Sequence, residues 1–117
     1  MAKKFETVKV ESNGKKLLVI VVNRGFAEEV VDKSRLDGAT GATILHGRGS
    51  AYATETFLGL NITPEKEVVL IVIDEKFASA AMTRISETLG VKTNAGGVCF
   101  CVPVNAMTKK IMENPKE

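Results

Sequence analysis

The chain has 117 residues, enough for one domain and too few for two that each bury a core. Hydrophobic residues make up 44% and charged residues 26%, an ordinary soluble balance, and no apolar run nears the ~20 residues of a membrane span. The net charge is only +2 and aromatics are 5%, which excludes both the basic footprint of a DNA binder and a stacking platform for single-stranded nucleic acid.

Residues 1–6 are too polar for a signal peptide, so a cytoplasmic protein is expected. Residues 5–10 alternate weakly and precede the turn signal Ser12-Asn13-Gly14. Residues 1–14 therefore read as an N-terminal arm, with 5–10 an outer strand able to form a hairpin with the next one. That next strand, residues 17–22, reads L-L-V-I-V-V, too short for a helix and rich in β-branched side chains. Over 26–36 the period changes to that of a helix, with Phe26, Val30 and Val31 on one face and Glu28, Glu29, Asp32, Lys33 and Arg35 towards water. Gly38 is the expected C-terminal cap.

A second strand over 41–46 runs into the glycine-flanked H-G-R-G of His46–Gly49. Residues 50–65 hold no period and read as a long exposed loop, the kind of segment that carries function. A third strand follows at 67–73, then an amphipathic helix over 76–89 with Phe77, Ala80, Ala81, Arg84, Ile85 and Thr88 at helical spacings. The glycine-bearing turn 92–97 leads to a fourth strand at 98–104, and residues 105–117 form a C-terminal tail that begins with a short helix over 105–112. Cys99 and Cys101 read as small buried thiols of that last strand; with His46 the only histidine, no zinc ligand set exists. Strand, helix, strand, loop, strand, helix, strand is the order of an α+β, ferredoxin-like βαββαβ sandwich with both helices on one face of a four-stranded sheet. The strands are apolar nearly throughout, so the other face also wants covering, and self-association is the simple solution.

Two turns are suited to an anion. Gly47-Arg48-Gly49 exposes backbone N–H groups beside a planar guanidinium, and the alternative is a flexible loop root with one solvated arginine. Asn94-Ala95-Gly96-Gly97 offers a second close backbone approach or simply a tight helix-to-strand turn, and Lys109 and Lys110 lie beyond the last strand. No nucleophile, base and orienting group can be assembled, so no enzyme is expected.

The runs T-I-L-H-G-R-G (Thr43–Gly49) and A-G-G-V-C-F-C-V-P-V (Ala95–Val104), with the long loop after the second strand, resemble the P-II nitrogen-regulatory family, in a divergent P-II-like branch, over residues 16–111. The resemblance implies a homotrimer with its sheets facing inward and adenine nucleotides (AMP, ADP or ATP) bound as effectors between subunits. It implies a loop (the T-loop, 50–65) that regulates a membrane transporter or metabolic enzyme, in nitrogen metabolism. It places Thr43 near the adenine, Gly49 (or Gly47 if a gap falls between) at the loop root beside Arg48 of the motif above, Gly96 and Gly97 in the phosphate-binding turn, and Lys109 where one C-terminal arginine is usual. Ser50, Tyr52, Glu55, Phe57 and Leu58 fall on the partner-binding loop. This chain departs from the pattern at Ala95, Gly96 and Val98, which stand for a glycine, an aspartate and a lysine, and at Ile111, which stands for the second arginine. The lost charge favours a mono- or diphosphate, or another small anion, over a triphosphate. The loop is shortened and Tyr52 lies near its root, out of the context for uridylylation. No cofactor and no nucleic acid are required. The competing expectation is a trimeric metal- or anion-binding protein of the same fold that senses no nucleotide.

Overall fold

The computed structural model describes residues 14–49, 55–57, 60–62 and 65–108. In chain order the elements are β1 (Lys15–Asn23), α1 (Ala27–Arg35), β2 (Thr43–Arg48), β3 (Glu55–Phe57), β4 (Leu60–Ile62), β5 (Glu65–Asp74), α2 (Glu75–Leu89) and β6 (Val98–Pro103). β3 and β4 pair with each other. The remaining strands make one antiparallel sheet in the order β2-β5-β1-β6, the ferredoxin-like order that the element sequence predicts.

Because strand side chains alternate, each long strand supplies two faces. Leu18, Ile20 and Val22 of β1 and Val69, Ile71 and Ile73 of β5 turn to the helices and are buried. There they meet Val30 and Val31 of α1 and Ala78, Ala81, Ile85 and Leu89 of α2. Each fully buried aliphatic side chain contributes roughly 1.5–3 kcal/mol. α1 ends where Gly38, at φ 98°, turns the chain so that the Ala39 N–H donates back to the Ser34 carbonyl at 3.1 Å. Arg84 of α2 then reaches Asp37 beyond that end (Nε to Oδ2, 2.7 Å), which ties the two helices together and raises the Arg84 pKa. At the opposite end of the sheet Lys15 is paired with Asp74, and Lys16 lies 3.5 Å from Glu75.

The other face of the sheet is apolar and open. The register lines up Leu17 with Val72 and Val102, Val19 with Leu70 and Phe100, and Val21 with Val68 and Val98, with Leu45 beside Val68. Phe100 is 54% exposed and Leu45 48%.

Several expectations change. β1 is paired on both sides, by β5 and β6, and residues 5–10, expected as an outer strand or arm beside it, lie outside the described residues. β2 runs on through Arg48, with Gly47 opposite Lys66 and Arg48 opposite Glu65, so the H-G-R-G run is largely strand rather than turn. The 50–65 segment contains the β3–β4 pair, and its last residue, Glu65, opens β5. The buried stripe of α2 is Ala78, Ala81, Ile85 and Leu89, so Phe77, Ala80, Arg84 and Thr88 lie outside it. Phe77 instead lies over the backbone at Gly38. Cys101 is exposed and only Cys99 packs on the core, since β6 is an edge strand that α2 covers in part. Residues 105–108 are not helical; the rest of the expected terminal helix lies outside the described residues.

Candidate functional site

One end of the sheet gathers the polar residues. There β1 finishes, β5 begins, β2 finishes and the 90–97 turn leads into β6. Asn23, the last residue of β1, joins these parts. Its backbone N–H donates to the Ala95 carbonyl (2.8 Å), its Nδ2 donates to the Asn94 carbonyl (2.9 Å), and its Oδ1 accepts from Lys66 Nζ (2.6 Å). Lys66 is thus held by a neutral amide, which leaves its positive charge uncancelled. Its stem runs along Gly49, where a Cβ would stand 2.9 Å from Lys66 Cε.

Arg24, one residue beyond β1, places Nη1 2.5 Å from Glu65 Oε2. Both side chains are more than half exposed, so this pair is weak and open to exchange with another anion. Arg48 lies opposite Glu65 across the β2–β5 ladder and makes no ion pair among the described residues. Arg24, His46, Gly47, Arg48, Glu65 and Lys66 line a cavity of about 370 Å³. Two arginines and a lysine line it with one carboxylate, a set that suits a phosphate or carboxylate ligand.

Glu67 borders the site from the helix side. Its Oε1 accepts from the Gly25 N–H (2.8 Å) and the Ala27 N–H (3.1 Å), capping α1 across the fold, and its Oε2 lies 3.8 Å from His46 Nδ1. The Ala27 N–H foremost, with those of Gly25 and Phe26 and the His46 charge, holds its carboxyl below the ordinary value against the opposing effect of burial. Among the described residues no three His, Cys, Asp or Glu side chains gather as a metal ion would need.

Of the residues the sequence singled out, Gly47 and Arg48 line this cavity, with Gly49 against Lys66. Gly96 and Gly97 occupy the same end of the sheet but beside β6, three strand spacings from β2, roughly 14 Å. One phosphate cannot touch both turns of a single chain. Thr43 stands at the far end of β2, exposed on the open face opposite Leu70. Glu55 and Phe57 lie on β3, whose side chains are not described, and Ser50, Tyr52, Leu58 and Lys109 lie outside the described residues. Arg24, Lys66 and their organiser Asn23 were missed. No motif marks them, and only the ladder register brings them beside Arg48.

No protein-family model matches the sequence, and no curated protein matches it. The fold, by contrast, is shared with solved structures. A PII-like signalling protein from Thermus thermophilus is similar with a TM-score of 0.57 and 18% identity over 74% of this chain and 83% of that one. CPII bound to ADP and bicarbonate, from Thiomonas intermedia, gives a TM-score of 0.63 and 16% identity over 88% and 95%. Arabidopsis thaliana PII bound to citrate gives 0.60 and 18% over 80% and 79%. The chain has the fold of the PII-like signalling proteins.

Proposed function

We propose that this chain is a PII-like regulatory protein that senses an adenine nucleotide at the cationic end of its sheet and signals through the 50–65 loop. In this reading, Arg48 and Lys66 take the phosphate, Gly47 and Gly49 let it approach the backbone, and Arg24 exchanges Glu65 for the ligand. Thr43 of β2, the Gly96-Gly97 turn and Lys109 complete the site at a cleft between subunits. The loop joins β2 to Glu65, so an anion that draws Arg24 from Glu65 acts on the loop's root and biases its order. Ser50, Tyr52, Glu55, Phe57 and Leu58 of that loop then meet a transporter or metabolic enzyme, in the cytoplasm and in nitrogen metabolism. No described helix is long and apolar enough to cross a membrane.

The observation that carries the reading is the cluster of Arg24, Arg48 and Lys66 flanking the loop's two roots, in a fold shared with nucleotide-bound CPII. The open apolar face supports the homotrimer, because burying it between copies removes it from water.

Calorimetry with AMP, ADP, ATP and bicarbonate on the wild type and on Arg48→Ala tests it. A charged hydrogen bond contributes roughly 1.5–3 kcal/mol, so the substitution is expected to weaken nucleotide binding by about 10- to 100-fold. If no nucleotide binds at millimolar concentration, the sensing role fails. Bicarbonate binding in the same experiment would then favour the anion-binding alternative, which the charge-poor turn of Ala95, Gly96 and Val98 also suits.

A further inference from the structure

We propose that Cys99, Cys101 and Met82 form a site for a soft monovalent metal ion, Cu(I), held on sulfur alone in the groove between β6 and α2. Both cysteines belong to the helix side of the sheet. The register sets Cys99 against Ile20 and Cys101 against Leu18, and those two side chains are fully buried under the helices. On that side a cavity of about 420 Å³ opens between β6 and α2, and Met82 and Cys99 both line it. These two pack on the margin of the core, while Cys101 is exposed and gives an ion its way in.

Met82 stands level with the gap between the two thiols. α2 starts where β5 ends and runs back against the direction of β5 and β6. It closes on the start of β6, where the Gly97 N–H donates to the Leu89 carbonyl at 2.7 Å. From that shared point Met82 lies about 10 Å back along the helix. Cys99 lies about 7 Å along the strand and Cys101 about 13 Å. The thioether is therefore level with the midpoint of the thiol pair, and its flexible stem lets the sulfur turn towards them.

Spacing and donor type select the ion. Residues two apart on a strand have Cα atoms ~6.7 Å apart, at the outer limit for a disulfide, whereas an ion joined to both sulfurs by bonds of roughly 2.3 Å holds them ~4.6 Å apart. Among the described residues no three His, Cys, Asp or Glu side chains gather, so they lack the four-ligand set of zinc. Glu87 also lines the cavity, but a carboxylate is a hard donor, and two thiolates with a thioether are the set that selects Cu(I). Burial foremost pushes the Cys99 thiol up to about 11, so the ion displaces one proton from each thiol to solvent as it binds. The groove lies beside β6, at the opposite edge of the sheet from the strand that carries Arg48, so this site is independent of the anion site.

The test titrates the full, reduced chain with Cu(I) under nitrogen against a chelator of known affinity, and counts bound copper by native mass spectrometry. One copper per chain is expected, and added zinc is expected not to displace it. Cys101→Ser, at an exposed position that leaves the core intact, is expected to weaken binding by about 100-fold or more. Met82→Leu conserves volume and is expected to weaken binding by about tenfold at an unchanged urea midpoint. No copper held by the wild type, or binding that either variant leaves unaltered, overturns the proposal. Half a copper per chain also overturns it, because the ion would then sit between two copies.

Discussion

Glu67 belongs to β5 yet stabilises α1. The helix has no local cap, since Phe26 at its N-cap position offers no side-chain acceptor, and the Glu67 carboxylate takes the Gly25 and Ala27 N–H groups instead. The folded pKa lies below the ordinary 4.5, so the stability this carboxylate confers is fully present above that value and is lost as pH falls through the lower folded one. Glu67→Gln is expected to cost about 1 kcal/mol at neutral pH and to flatten the acid limb of the stability curve, as read by urea unfolding between pH 3 and 7. At Cys99, burial foremost and the neighbouring Cys101 push the thiol up to about 11, whereas Cys101 is exposed. Mass spectrometry after brief alkylation at pH 8 is expected to find the label on Cys101 well before Cys99, because the thiolate is the reacting form. Arg48 and its glycines were legible as an anion-binding candidate from residue types alone. Arg24 and Lys66 were not, since a lone basic residue at a strand end acquires meaning only from its neighbours across the ladder.

At the scale of elements, the strands and helices were legible to within two or three residues because each carries one clear period. The errors fall where two periods compete or where a neighbour decides. α2 offers alanines on adjacent stripes, and the stripe through Ala78 and Ala81 is buried because it meets β1 and β5. The β3–β4 pair is too short to show alternation. The 90–97 turn is shaped by close backbone approach: Gly90 and Gly97 form a bridge, and the Gly97 N–H donates to the Leu89 carbonyl at 2.7 Å. A Cβ at Gly97 would stand 2.3 Å from that same oxygen and 3.2 Å from Val22 Cγ1. Backbone must therefore shift to admit it, and Gly97→Ala is expected to destabilise the fold by about 2 kcal/mol or more, measured as a lower urea midpoint. This glycine has a packing reason to be there in addition to the phosphate role proposed for its turn.

For the molecule as a whole, the open sheet face is the surface that the proposed trimer buries. Light scattering on a size-exclusion column is expected to give three times 12.6 kDa. Phe100→Glu, at the row shared with Val19 and Leu70, is expected to yield monomers by placing a charge in the apolar centre of the proposed trimer. A wild-type monomer at micromolar concentration would refute the trimer, and an unchanged mass for the variant would place the interface elsewhere. The sequence by itself determined the order of the core strands and helices, the ferredoxin-like class and the existence of one face too many to cover. These follow from local periodicity and from the count of helices against apolar strands. Only the tertiary structure decided which residues share the cationic end of the sheet. Register sets Arg48 against Glu65 and Lys66 against Asn23, and it is fixed by the pairing of strands distant in sequence. It likewise separated the two glycine turns to opposite edges of the sheet and left β6 with a vacant side among the described residues. Such juxtapositions arise from long-range hydrogen bonding and packing, which no run of neighbouring residues encodes.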